Sequence, residues 1–596
     1  MKKVLESAFI AFILMMSMSA AVAAAEAGFP LTAACASGEW KCTGDAYTLS
    51  QCENGEWKNT ECMRDSGKLC ENNACVDPWR YGSPEWPAPA QNKLDTPESL
   101  SNKAAYYEDI SKRLHVSPKL KYMTTVYMPC KSVECAPGQT PPCKDCMETA
   151  IPEEIATWND VERFGHHDND GLFSALYLAA EAFRYGVTRD PQALEMIKLL
   201  LDGEVLRMRI TGVPGLFTRS YSPPDFKASE CPAEPKAYIH DLIEGNNQKV
   251  LIGDDGCARI YDGKKKEWQT TTHCVSKEFA GWCWTDNVSK DEYAGHMFAL
   301  GAVAKLVDDP QAQAIAKDLI AQVAEHLIKN KMEVVDWDGR VTSYGRFHAA
   351  TFGDYTGLNA AMGLDFIKIA AEVTKDHSIA RWYDDCLLQK SGKRRCLNNI
   401  LETPMPYTNH LVYNGIYVDA DGCQMNYDNN AMHVLSMHNL IWFEHDPKLR
   451  EIYQKSFDED VFRKKGHPRA LINQNNVFFD FVFASQKRLG PGSDGPALDA
   501  VSNGVAMLRQ FPTRYHYENT QPPPEKSKPF CKSRHGEDLG EFARTPGERC
   551  PNNVSFWEDP YRLYSCSHNS RVIVAPTDFL LPYWMGRYYG FISEKE

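Results

Sequence analysis

From residue 150 onward, apolar positions recur every three or four residues in blocks separated by a repeated break. Leu172, Leu176, Ala179, Ala180 and Phe183 form one block, Asp190-Pro191 interrupts, and Leu194, Ile197, Leu200, Leu201, Val205 and Met208 resume the period. This is the pattern of two amphipathic helices joined by a short turn. It returns as Tyr293 to Val307, Asp309-Pro310 and Ile315 to Ile328, and again as Leu358 to Val373, Asp376-His377 and Ile379 to Leu388. A fourth unit is Ala431 to Phe443, Asp446-Pro447 and Leu449 to Phe462. A weaker fifth pairs Phe478 to Gln486 with Leu498 to Leu508, and Glu98 to Leu114 adds an unpaired helix. In each clear unit an Asp stands where it caps the second helix, and in three of them Pro follows at the first helical position.

The breaks at 190, 309, 376 and 446 are unevenly spaced, whereas a solenoid repeats strictly. A closed ring of hairpins tolerates such insertions. The expected fold is therefore mainly α, an (α/α) toroid of antiparallel helical hairpins over 96–592, with the first helix of each hairpin in the inner ring. Val335 to Arg340 and Thr342 to Phe347 read as a β-hairpin insertion turning on Asp338-Gly339.

The N-terminus reads differently. Lys2 and Lys3 precede an apolar core, Phe9 to Met18, that runs into Ala20 to Ala25. This predicts a signal peptide over 1–25, cleaved after Ala23 or Ala25, and hence export; an uncleaved anchor over Ala8 to Ala25 is the alternative. Twenty cysteines in an exported chain predict disulfides. Cys35, Cys42, Cys52, Cys62, Cys70 and Cys75, set among glycines, predict a disulfide module over 35–77 with three internal bridges of unassigned connectivity. A Pro-rich linker over 78–95 follows. Cys130, Cys135, Cys143 and Cys146 end in a zinc-like Cys-x-x-Cys, but intervening prolines and the compartment favour two loop-stapling disulfides. The other ten cysteines are expected to staple insertions.

Lys+Arg 65 against Asp+Glu 79 gives a net charge of −14, with no basic run interleaved with aromatics, so nucleic acid is excluded as a partner. Mean hydropathy is −0.45, which excludes a polytopic membrane protein, and no membrane insertion is expected after signal cleavage.

Polar clusters stand at the start of each presumed inner helix: His166 to Gly171, Trp284 to Glu292, Phe352 to Gly357, Asn426 to Asn430 and Asn473 to Asn476. In a ring of parallel inner helices these converge on one cleft, where unpaired helix amides suit hydroxyl-rich or anionic ligands. Two carboxylates from different helices suffice for glycoside hydrolysis, and Asp170 and Asp291 are the expected pair. Glu292 and His296, four apart, share a helix face as a base and its orienter, and Ser289 to Glu292 also fits a capping box. Asp168, Trp284, Trp337, Arg346, Tyr355 and Asp428 are expected to contact substrate. Arg346, His348, Tyr355 and His296 would instead serve a uronate lyase. Asp168-Asn169-Asp170-Gly171 lacks the rest of a calcium loop, and neither metal nor cofactor is expected.

The hairpin architecture, the Asp-Asn-Asp-Gly and Asp-Glu-x-x-x-His helix openings and the aromatic mouth resemble the six-hairpin, (α/α) toroid glycosidases and polysaccharide lyases. Asp168 to Leu172, Ala179-Ala180, Phe183-Arg184-Tyr185 and the ending Leu581 to Tyr588 resemble, over about 150–592, a group of bacterial exported proteins of unknown activity. The resemblance implies a periplasmic, cell-surface or extracellular enzyme cleaving a polysaccharide or glycan, as hydrolase or lyase. The alternative is a noncatalytic carbohydrate-binding or surface-interaction protein.

Overall fold

The computed structural model describes residues 36–42, 48–54, 56–62, 69–71, 73–76, 99–131, 148–165, 168–240, 247–348, 355–391, 396, 405–411, 420–487, 495–512, 524–550, 556–563, 571–594 and 596. The signal-peptide and linker expectations lie outside these residues.

The chain is mainly helical, and the helices come in the expected pairs. Leu100–Ile110 (α1) stands alone. Asp170–Thr188 (α2) pairs with Pro191–Arg209 (α3), Lys290–Leu306 (α4) with Pro310–Lys329 (α5), and Thr356–Thr374 (α6) with His377–Trp382 (α7). Asp428–Phe443 (α8) pairs with Pro447–Lys455 (α9) and Val477–Ser485 (α10) with Gly495–Arg509 (α11), before Thr577–Tyr588 (α12) closes the order. The turn chemistry works as the sequence implies: Asp190, Asp309, Asp376 and Asp446 each accept hydrogen bonds from amides of the first turn of the second helix.

The first helix of each pair is the more buried one. These helices pack in a circuit: α2 on α4, α4 on α6 and α8, α6 on α8, α8 on α10, α10 on α12, and α12 back on α2. At the C-terminal end of α2 the middle of the circuit is filled by aromatics. Phe183 stacks on Trp442 of α8 (5.7 Å, 12°) and also meets Phe298 of α4 and Tyr588 of α12. His438 of α8 shares a 2.7 Å hydrogen bond with Tyr589, and burial pushes its imidazole down to about 4.

Between α3 and α4 the chain makes a five-stranded antiparallel sheet in the order Glu267–Cys274, Cys257–Asp262, Lys249–Ile252, Cys283–Thr285, Tyr221–Ser222. Glu333–Val335 and Val341–Arg346 form the expected hairpin, with Gly339 at φ +85° in its turn. A small sheet pairs Val126–Tyr127 with both Arg163–Phe164 and Val572–Ile573, which sets the segments entering α2 and α12 on either side of that strand.

Disulfides join Cys42–Cys70 and Cys62–Cys75 in the N-terminal module, and Cys52 is also bridged. Cys231–Cys283 and Cys257–Cys274 staple the five-stranded sheet, while Cys386–Cys396 and Cys423–Cys531 tie down other segments between helices. Cys130 and Cys550 are bridged as well. Cys35, Cys135, Cys143, Cys146 and Cys566 lie outside the described residues. No described helix is long and apolar enough to cross a membrane.

Candidate active site at the helix starts

The starts of the inner helices are tied together by side chains. The first turns of α2 and α4 touch so closely that a Cβ on Gly171 would lie 2.0 Å from Glu292 Oε2. Arg219 donates to the Asp168 carbonyl (2.8 Å), Asn169 Oδ1 (3.2 Å) and the Asn287 carbonyl (2.9 Å), joining the loops that enter α2 and α4. Asn287, at φ +57°, accepts the Ser343 amide on its side chain (2.8 Å), which fixes the β-hairpin to the same point. On the other side, Asn476 caps α10 and donates to the Phe556 carbonyl (3.2 Å), while Asp578 of α12 accepts the Phe556 amide (3.1 Å). Trp557 then sets its ring edge-on to Phe173 of α2.

This scaffold gathers carboxylates. Asp428, the first residue of α8, is open to solvent yet has protein mass around it. That surrounding protein first, then the negative charges of Asp291 and Glu558, push its carboxyl up to about 6; Asp559 adds to the rise and Arg534 opposes it. Asp291 is half-buried and accepts the Ser289 hydroxyl. Burial raises the Asp559 carboxyl against a 2.9 Å hydrogen bond from the Tyr561 amide.

Beneath Asp291 lies a buried ionic network. His296 places Nδ1 2.6 Å from Glu204 Oε2 and Nε2 3.4 Å from Glu292 Oε2, with Phe217 stacked on its ring at 4.1 Å. Arg207 lies 3.9 Å from Glu204 and over the rings of Tyr122 and Tyr221. Burial opposes charge on the imidazole, but the two carboxylates win and its pKa is raised; burial also raises Glu292, against His296, Arg207 and Arg219. The capping box at Ser289 does not form: the Ser289 hydroxyl turns to Asp291, and Glu292 faces inward to His296 rather than back to the Ser289 amide.

Asp170 is buried as well and accepts the Thr124 hydroxyl at 3.0 Å, whereas Asp168 is exposed. Lys249 reaches in from the five-stranded sheet and donates to Thr285 Oγ1 (2.8 Å); burial lowers its pKa, against Asp170 and Asp168. Arg346 is exposed, 3.6 Å from Glu333, whose other oxygen-bound partner is His348 at 3.2 Å. Tyr355 is half-buried at the start of α6, at φ +51°.

The two tryptophans expected to face substrate are core residues. Trp284 is fully buried, and Trp337 is enclosed by Trp284, His240 and His273, so neither offers a ring face to a ligand. Trp337 instead bonds Asp286 at 3.5 Å, within a group containing Asp336, Asp338, His240 and Arg340. Burial and then the Asp286 charge push Asp336 up to about 7; Asp338, despite burial, is held down to about 2 by His240 and Arg340.

No group of three or more metal-ligating side chains occurs among the described residues. Sequence reasoning missed Glu204, Arg219, Lys249, Glu558 and Asp559. Glu204 and Arg207, three apart on α3, carry the only advance signal: charges on the apolar stripe of an otherwise amphipathic helix.

No protein-family model matches this sequence, and no curated protein does. Among solved structures, Bacteroides ovatus GH9 is similar over 82% of this chain and 83% of that chain, at 10% sequence identity and a TM-score of 0.28. A likeness at that TM-score fixes neither the fold nor the chemistry.

Proposed function

We propose that this chain is an exported enzyme that hydrolyses a polysaccharide or glycan with paired carboxylates, at the open end of an (α/α) toroid spanning 96–592. The observation that carries the reading is the placement of solvent-open Asp428 and half-buried Asp291 at the starts of two packed helices, where the surrounding protein and the charge of Asp291 push the Asp428 carboxyl up to about 6. Two carboxyls whose environments differ are what acid and base roles need. Asp428 protonates the departing glycosidic oxygen, and Asp291 takes the proton of water or attacks the sugar carbon.

The toroid is supported by the circuit of inner helices and by the aromatic plug around Phe183, which leaves the end carrying the helix starts as the entry. Asp170, bonded to Thr124 and buried, belongs to the floor and yields its place in the pair to Asp428. Glu292 and His296 hold that floor with Glu204, and Asp168, Arg346 and Tyr355 line the walls. The bridged cysteines support export, with 1–25 as the signal peptide, 35–77 as a disulfide module and 78–95 as the linker.

The test is a panel of polysaccharides assayed together for new reducing ends and for ultraviolet absorbance of unsaturated products. Reducing ends without absorbance, abolished in Asp428→Asn and Asp291→Asn, are the expected result. Absorbance would make the chain a lyase, and binding without cleavage a carbohydrate-binding protein.

A further inference from the structure

Beside the acid cluster lies a feature of opposite charge. Lys464, Lys465, His467, Pro468, Ile472 and Asn473 line an open dish of about 450 Å³, within the size range of small-molecule sites. Its third cation, Arg463, is ion-paired, making two 2.5 Å hydrogen bonds to Asp458, which Lys487 also pairs at 2.9 Å. Lys464 and Lys465 have no ion-pair partner within 4 Å among the described residues; Lys464 acts at longer range on Asp460, whose ionised form it favours. Lys464 and Lys465, adjacent in sequence on a chain of net charge −14, give the dish wall a local positive charge that suits an anion.

The floor of the dish is linked to the acid cluster by a chain of contacts. Arg469, buried behind it, donates to the Gly540 carbonyl (3.0 Å) and lies 4.0 Å over the Tyr561 ring. The Tyr561 hydroxyl donates to the carbonyl of Asn473 on the dish wall (3.3 Å), and its amide donates to Asp559, one of the acids acting on Asp428. Exposed Ile472 supplies an apolar wall against which the C–H face of a sugar ring can lie.

We propose that this dish is an outlying subsite for an anionic saccharide, with Lys464 and Lys465 binding the carboxylate or sulfate groups of a glycan chain whose neighbouring segment lies in the acid mouth. The proposal rests on the glycan reading and narrows its substrate to acidic polysaccharides.

Affinity electrophoresis and calorimetry on the full mature chain test it, with polygalacturonate and a sulfated polysaccharide against neutral dextran as probes. Lys464→Gln/Lys465→Gln is expected to weaken binding of the anionic probes about tenfold at low salt and to reduce the salt dependence of what remains. Its melting temperature and dextran response should not change. Equal affinity in the double variant, or no binding of either anionic polysaccharide by the wild type, overturns the proposal. So does tighter binding to vesicles containing anionic lipid than to polysaccharide, since the dish would then be a membrane contact. Loss of cleavage in the glycan panel alongside retained, lysine-dependent anionic binding would sink the hydrolase reading and leave this subsite standing.

Discussion

At the scale of single residues, the acid assignment has a direct pH consequence. Asp428 must be protonated to act as general acid, so kcat is expected to fall as pH rises through about 6, where its carboxyl ionises. Asp428→Asn should lower kcat by about 10²- to 10⁴-fold, the usual worth of positioned proton transfer, and should remove that limb from whatever activity remains. An unchanged descending limb would assign it to another group.

Gly171 offers a second test, of geometry rather than titration. Gly171→Ala would drive a methyl onto Glu292 Oε2 and, at 3.0 Å, onto His296 Nε2, the imidazole being held by Glu204 behind it and pairing Glu292 in turn. Overpacking of this kind costs about 1–3 kcal/mol, read as a lower midpoint in denaturant. Combining it with Glu292→Ala should give less than the sum of the two effects, because the closer of the two clashes is gone.

The same network makes stability depend on pH. His296 is raised above its ordinary 6.5 and Glu292 above its ordinary 4.5, so the native state binds more protons than the unfolded one. The Glu292 contribution is lost as pH rises above about 4.5, and that of His296, complete below 6.5, is lost as pH rises through its raised value. Denaturant midpoints should therefore fall as pH rises above 6.5, and His296→Gln should flatten that fall, destabilising by about 3–5 kcal/mol at low pH, as for a broken buried ion pair, and by less once the wild-type imidazole is neutral. A steeper fall in the variant would show that other groups set the slope. None of this was legible from residues 292 and 296 alone: the sequence shows an i,i+4 pair, and the third member, Glu204, comes from another hairpin.

At the scale of elements, the helical hairpins were readable because their signals are local. Asp190, Asp309 and Asp446, each followed by Pro, mark a helix start by capping and by fixed φ, and the apolar period marks the buried face. The helix ends were less readable. Several helices pass into wider turns, Ser111–His115, Tyr383–Leu387 and Ser456–Phe462, which no periodicity announces. Nor could the sequence show that Phe183, one apolar residue among many in its block, is where α2, α4, α8 and α12 meet. Phe183→Ala is expected to cost about 3–5 kcal/mol, as for a fully buried aromatic. Phe298→Ala, which removes one of the rings packed on Phe183, should be less than additive with it in the same denaturation experiment.

At the scale of the whole molecule, the mouth depends on a segment that belongs to no hairpin. Residues 524–563 carry Arg534, Glu558 and Asp559 to Asp428; among their described residues Phe556 and Trp557 join the main core, while Leu539, Ala543 and Tyr561 form a small separate one around Cys423. Burying side chains of this size contributes roughly 1.5–3 kcal/mol for a large one and less for Ala, little against the backbone entropy of ordering such a stretch. The Cys423–Cys531 bridge closes a separation of 108 residues, and a loop of about 100 residues is worth about 4.7 kcal/mol on the chain-entropy account. The bridge therefore matches the small core in importance. Cys423→Ala/Cys531→Ala should open this segment locally and leave the helical core folded. Amide exchange is expected to rise across 531–563 while α2, α4 and α8 keep their protection, and kcat should drop with the descending pH limb moving below 6 as Asp428 loses its acidic neighbours. Unchanged exchange over 531–563 would mean that the Cys550 bridge, the anchoring of Phe556 and the contacts with Asn473 and Asn475 hold the segment without the Cys423–Cys531 bridge.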